Sequence, residues 1–410
     1  MKRFFLNIKK RNWIIFLIVS VIYAGNIFCS SFNYSEKKTI TENTDPGGFA
    51  GAAACKSCHK NIYDSCAYTA HYLTSRPASK EFIKGSFDSG KNRYQYNKFM
   101  YVEMDNVGDS FYQTAMINNA PFESEPFDIV IGSGRKGQTY LYWNNTRLFQ
   151  LPVSYYTALK SWCNSPGYPS TLVSFNRQVN AQCLECHGTY AKAKTTSGGG
   201  ASFDKSQVFY GIECERCHGA AAQHVAYYNA HPQDTVSKFI INAKYLSRQQ
   251  RLDACALCHS GLRKETKPAF SFQVGDKLDD FSKPDYNVDS TAMLDVHGNQ
   301  YGLLTSSKCF RMSQMDCSSC HNVHVNEAGN DQVFLQRCLS CHNKTTHDTC
   351  TLNQRNGIIQ TKNCIDCHMP LLPSKKIFLQ FADRQKSTAD LVRTHRIAVY
   401  AKETKDHMIK

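Results

Sequence analysis

The chain has 410 residues, 42% of them hydrophobic and 20% charged, proportions that exclude an intrinsically disordered protein and leave room for two or three domains. A formal net charge of +14 would suit a nucleic-acid partner. The 19 cysteines argue otherwise, being far too many for a reduced cytosolic protein without an architecture built on thiol chemistry.

Residues 1–31 read MKRFFLNIKKRNWIIFLIVSVIYAGNIFCSS. Lys2, Arg3, Lys9, Lys10 and Arg11 precede an uncharged apolar run from Trp13 to Tyr23, which is the order of a secretory signal. That run is short against the roughly 20 apolar residues a spanning helix needs. The expectation is export to a periplasmic or similar compartment with cleavage after Ser31, or retention of the segment as an N-terminal membrane anchor. Cys29 follows the bulky Phe28, a poor context for lipidation. Residues 32–50 read as a linker.

The next segment, 51–91, carries CKSCH. A lone C-x-x-C admits half a zinc site, a redox pair or a haem attachment point. Here the full C-x-x-C-H pattern recurs, at Cys55, Cys58 and His59; Cys183, Cys186 and His187; Cys214, Cys217 and His218; Cys255, Cys258 and His259; Cys317, Cys320 and His321; Cys338, Cys341 and His342; and Cys364, Cys367 and His368, seven copies in all. Two thiols three residues apart on one turn reach the two vinyl groups of one porphyrin, and the adjacent His reaches the iron beneath the ring. Zinc ribbons pair two C-x-x-C knuckles without demanding a His after each. The pattern therefore reads as seven covalently attached haem c groups, with the motif histidines as iron ligands.

Residues 92–170 carry no such motif. FMYVEMDNVGDSFYQTAM reads as two strands around a polar turn, and QTYLYWNNTRLFQLPV as a hairpin turning at Asn144 and Asn145. Gly132, Gly134 and Gly137 with Arg135 and Lys136 lack the phosphate-loop pattern and read as a glycine-rich turn. The basic pair is a candidate contact for haem propionates. A small antiparallel β insertion is expected here.

Residues 171–370 hold six of the motifs. Intervals such as KAKTTSGGGAS read as loops, so short helices and irregular chain are expected to wrap closely stacked haems, which leave too little polypeptide for one domain each. The last segment, 371–410, supplies a further histidine. The expected fold is thus a mainly α or irregular multihaem cytochrome c fold organised around stacked haems, with the small β insertion.

Beyond the motif histidines the chain has His71, His224, His231, His297, His324, His347, His395 and His407. What fills the sixth position of each iron separates electron transfer from catalysis. All but His407, in the basic tail, are candidate second ligands. His324 and His347 stand too close in sequence to His321 and His342 to swing round to the opposite face of the same haem, so they should serve neighbouring ones; the same holds for His224 behind His218. Methionine is the other possible axial group, and Met312, Met315 and Met369 lie close to motifs, the alternative for each being a packing residue. Cys66, Cys163, Cys309 and Cys350 remain for disulfides or buried thiols. Haem propionates offset much of the basic excess, which removes the case for nucleic acid.

CERCHG followed by His224, CSSCHNVH, CIDCHMP followed by VRTHRI, and CKSCHKNIYDSCAYTAH resemble the multihaem cytochromes of the cytochrome c-554 type, relatives of the nitrite reductase and octahaem oxidoreductase lineage. The resemblance implies mostly bis-histidine haems in stacked pairs and electron exchange in the periplasm, with other redox proteins or a quinol-linked membrane complex as partners. The C-x-x-C-K motif of nitrite-reducing members is absent. The expected function is therefore electron transfer, the alternative being an oxidoreductase acting on nitrite, hydroxylamine, tetrathionate or a similar small nitrogen or sulfur compound at one open haem.

Overall fold

The computed structural model describes residues 48–195, 200–285, 294–343, 364–382 and 386–402. Two units divide after Thr44, and every described residue lies in the second. The leader, His347, Cys350 and His407 lie outside the described residues.

A short strand, β1 (Ser75–Pro77), precedes a four-stranded antiparallel meander of β2 (Arg93–Asn97), β3 (Met100–Val107), β4 (Ser110–Ile117) and β5 (Ala120–Pro126). Alternation drives it: Phe111, Gln113 and Ala115 of β4 turn inward while their neighbours stay half-exposed. Asn118 and Asn119, at φ 52° and 63°, make the two-residue turn from β4 to β5, a left-handed pair that matches the strand twist.

The larger sheet adds to β1 the strands β6 (Ile129–Ile131), β7 (Gly137–Asn144), β8 (Arg147–Gln150), β9 (Val153–Tyr156), β10 (Ser161–Asn164), β11 (Arg177–Gln178), β12 (Gly188–Thr195) and β13 (Ala201–Tyr210). The β7–β8 turn falls at Asn145 and Thr146, one residue later than expected, with Asn145 at φ 55°. Tyr94, Met104, Tyr140, Leu151, Trp162 and Phe175 belong to one apolar core shared by strands of both sheets. Buried Gln113 links them by polar bonds: its Nε2 donates to Val153 O at 2.7 Å and its Oε1 accepts from Val153 N at 3.0 Å, as a strand neighbour would. Two small hairpins complete the strands, β14 (Arg263–Glu265) with β15 (Ser282–Pro284), and β16 (Leu371–Leu379) with β17 (Thr388–Arg393).

The mainly α or irregular fold is thereby corrected. Strand makes up 30% of the structure and helix 27%, and the sheets reach from residue 75 to 210 and again from 371 to 393. The reason is local. GTYAKAKT and ASFDKSQVFY flank the glycine-rich stretch that read as loop, yet they pair antiparallel as β12 and β13, Ala191 opposite Val208 and Ala193 opposite Phe203. One face buries Ala191, Ala201 and Phe203 against Ile129, Leu141 and Leu184; the other carries lysines and serines, and so resembles a polar loop in sequence.

Helices are short and mark the motifs. They are α1 (Ala52–Cys66), α2 (Ala181–His187), α3 (Cys214–His218), α4 (Ala222–Ala230), α5 (Arg248–His259), α6 (Gln300–Thr305), α7 (Lys308–Arg311), α8 (Asp331–Leu339) and α9 (Cys364–His368). Side-chain caps start several. Asn180 accepts from Cys183 N at the head of α2, Ser247 and Gln250 form a capping box on α5, and Asp316 caps the single 3-10 turn at Cys317. None of the described helices is long and apolar enough to cross a membrane.

Candidate haem-binding centre

A helical turn is what each C-x-x-C-H needs, because residues three and four apart share a face. The motifs fill α3 and α9 and end α2 and α5. In α1 the turn is followed by a break at His59, at φ −112° and ψ 39°. The thiols of different motifs meet, Cys55 with Cys214, Cys186 with Cys258, Cys255 with Cys317 and Cys338 with Cys364. Motifs far apart in sequence therefore lie side by side.

The imidazoles are more informative still. Two histidines bound on opposite sides of one metal ion, each at about 2 Å, have ring centres about 6 Å apart. Four pairs stand at that separation: His59 and His224 at 6.5 Å, His71 and His259 at 6.0 Å, His218 and His324 at 6.1 Å, and His321 and His395 at 6.1 Å. Each pair joins one motif histidine to one of the candidate second ligands. His324 faces the third motif instead of its own, and His224 faces the first. The donor set thus fits a hexacoordinate iron in each gap.

Comparison with known proteins agrees with this chemistry. Residues 159–219, which include the second and third motifs, match the family described as cytochrome c554 and c-prime. The multiheme cytochrome MtrA of Shewanella baltica (strain OS185) is 26% identical over 178 residues, 39% of this chain and 51% of the relative. The chain thus spans about half the length of the curated relative it matches. In fold it is similar to the crystal structure of the outer cell wall cytochrome OcwA, with a TM-score of 0.50, 16% identity and coverage of 88% of this chain and 81% of that one.

These likenesses support a multihaem c-type cytochrome. Its cofactor is haem c, and several features of this cytochrome prepare its histidines as ligands. Burial lowers the proton affinity of His71 and His395, each to about 4, with neighbouring imidazoles adding to the effect; His187, His259, His321 and His324 shift the same way, burial again the main cause. A neutral ring is the ligating form. Backbone carbonyls fix the tautomer: His218 Nδ1 donates to Ile241 O at 2.8 Å, His224 Nδ1 to Lys238 O at 2.8 Å and His368 Nδ1 to Ala398 O at 3.0 Å, which leaves Nε2 free. His187 Nδ1 meets the Thr74 hydroxyl at 3.1 Å, and His259 Nδ1 the Gln300 amide oxygen at 3.3 Å.

The residues inside and beside the motifs, which sequence reasoning passed over, hold the motifs to one another. Glu215 of CERCH accepts from Ala50 N, Gly51 N and Ala221 N, all at 2.8 Å, and so fastens the chain entering the first motif to the third. Glu185 of CLECH accepts from Phe270 N at 2.6 Å and lies 3.9 Å from Arg216 of CERCH; burial pushes its carboxyl up, against the pull of Arg216. Arg251 of α5 reaches Asp316, just before the fifth motif, at 2.6 Å. Arg337 of α8 donates to Cys320 O and pairs with Glu327, joining the fifth and sixth motifs. Asp366 of CIDCH binds Arg393 at 2.9 Å, two residues before His395. No single-sequence signal marks these partners, since each is distant along the chain.

Other candidates are placed elsewhere. His231 stacks on Tyr227 at 4.4 Å and is exposed. His297 stands beside Asp390, with no imidazole pair formed among the described residues. His347 lies outside the described residues. Lys136, a candidate propionate contact, instead binds Asp390 at 2.9 Å. Cys66, Cys163 and Cys309 are free thiols.

Proposed function

We propose that the chain carries seven haem c groups and conducts electrons through them between redox partners outside the cytoplasm. The observation that carries this reading is the set of four imidazole pairs, each joining a motif histidine to a residue that follows a different motif. Cross-ligation of this kind places one iron a few residues from the anchor of the next. His224 connects the first site to the third, His324 the third to the fifth, and His71 the first to the fourth. Electrons then pass from ring to ring without a diffusing carrier. Export is the reading of the leader, and docking partners are other redox proteins or a membrane complex that oxidises quinol.

Mass spectrometry and haem quantification on the holoprotein test the count, with seven haems expected. Electron paramagnetic resonance tests the ligation, because a bis-histidine iron is low-spin. Replacing His324→Ala should add one high-spin iron and leave the other signals in place, whereas His231→Ala should leave the spectrum unchanged. A second reading, reduction of a small nitrogen or sulfur compound at an open iron, draws on His187 and His368, which face no imidazole at the four-pair separation among the described residues. Turnover of nitrite or hydroxylamine, together with a high-spin signal in the unmodified protein, would favour it over the carrier.

A further inference from the structure

The imidazole pair at the fourth motif differs from the other three in the angle between its rings. That angle is 18° for His59 and His224, 17° for His218 and His324, and 30° for His321 and His395, whereas the planes of His71 and His259 cross at 69°. The crossed ring is also held by a side chain. His259 Nδ1 lies 3.3 Å from Gln300 Oε1, and a ring that meets iron through Nε2 carries its proton on Nδ1, so the imidazole donates and the amide oxygen accepts. At the first and third sites the corresponding acceptors are main-chain carbonyls, Lys238 O behind His224 and Ile241 O behind His218.

Gln300 is fixed by its surroundings. Asn299, 4% exposed, accepts from Gly302 N at 3.0 Å and caps α6, and Gly261 N donates to Gly298 O at 2.7 Å, which ties the chain leaving α5 to the start of α6. Across the gap the backbone of His71 is pinned by Ile212 N and Thr74 N, which donate to its carbonyl at 2.9 and 3.1 Å. Parallel imidazole planes split the two iron d orbitals that overlap the ring π systems, whereas crossed planes leave them nearly equal in energy. A ferric low-spin iron between crossed rings then gives one large g value at low field instead of a rhombic spectrum. We propose that Gln300 is a positioning residue that holds His259 across His71 and so makes the fourth iron spectroscopically distinct from the first, third and fifth. This assignment rests on the reading of that iron as bis-histidine ligated.

Electron paramagnetic resonance of the oxidised holoprotein reads the ring angle. His71→Ala should remove a low-field component and add one high-spin iron. If every iron stays low-spin, the ligation reading fails and takes the proposal with it; if the component lost is rhombic, the crossed geometry is overturned while ligation stands. Gln300→Leu removes the acceptor, and the same low-field component should move toward a rhombic one at unchanged haem content; its persistence overturns the role of Gln300 alone. Gln300→Glu gives a second measurement that does not depend on the leucine variant folding. It keeps an acceptor at the same reach, so the low-field component should remain, while the added charge makes the ring a stronger donor and favours ferric iron. One step of an optical redox titration should then fall by about tenfold in the ferric-to-ferrous equilibrium, or 59 mV for one electron. Steps identical to those of the unmodified protein would mean that Gln300 does not reach the ring, which overturns the assignment.

Discussion

Three amide hydrogens converge on the Glu215 carboxylate, the residue being only 5% exposed. Replacing Glu215→Ala strands one buried donor, Ala221 N, and two part-buried ones, Ala50 N and Gly51 N, a buried unsatisfied group costing about 1–3 kcal/mol. Denaturant unfolding of the holoprotein should show a loss of about 2 kcal/mol, and Glu215→Gln, which keeps one acceptor oxygen, a smaller one; equal stability of all three proteins would contradict the arrangement. The two kinds of residue in CERCH differ in legibility for a physical reason. Cys214, Cys217 and His218 are constrained by a covalent geometry that repeats wherever a porphyrin is attached, so spacing alone reveals them. Glu215 and Arg216 are constrained by Ala50, Gly51, Ala221 and Glu185, up to 165 residues away, and nothing near them in sequence says so. The extra histidines fall between: their number was readable, while the partners of His71, His224, His324 and His395 depend on how segments cross.

At the scale of elements, the junction between β13 and α3 sets the entry to the third motif. Gly211 sits there at φ 66°, and a Cβ on it would lie 2.3 Å from Tyr72 O. Its N–H donates to Ser75 Oγ at 2.8 Å, its carbonyl accepts from Thr189 Oγ1 at 2.7 Å, and the next residue, Ile212, donates its N–H to His71 O at 2.9 Å. Gly211→Ala should therefore lose about 2 kcal/mol from the left-handed backbone alone, with more from the clash, as measured by the unfolding midpoint. It should also disturb the low-spin signal of the site that His71 is proposed to close; an unchanged midpoint would mean that the chain does not turn here as described. The same junction explains what pattern reading missed. Strands β3, β4, β7 and β8 alternate over long stretches and end in asparagine or glycine turns, so they stand out. β1 and β11 are three and two residues long, and β12 and β13 have one wet face. They are strands because neighbours pair with them, a condition that no local pattern records.

Across the whole molecule, apolar burial is distributed unevenly. The sheets enclose a core of large side chains, Tyr94, Met104, Tyr140, Leu151 and Trp162 among them, at a stabilisation of about 25 cal/mol for each Å² removed from water. The motif-rich chain has much less: no residue from Cys317 to Asn343 is buried, and Val323, Val325 and Leu339 are more than 40% exposed. A segment so poor in buried apolar surface does not offset its own ordering entropy. Covalent porphyrins would supply the missing surface, each a broad apolar plate held at two thioethers and crossed by an imidazole from another segment. Haem attachment and folding are then coupled in the second half of the chain and separable in the β layer. Hydrogen exchange on chain produced without haem attachment measures this directly, since protection reports local opening energy. Amides of β3, β4 and β7 should stay protected, whereas those of 317–343 should exchange nearly as fast as in an unfolded peptide and become protected only in the holoprotein. Strong protection of 317–343 in the haem-free chain would mean that polypeptide packing alone orders the motifs and that the cofactors fill a preformed frame.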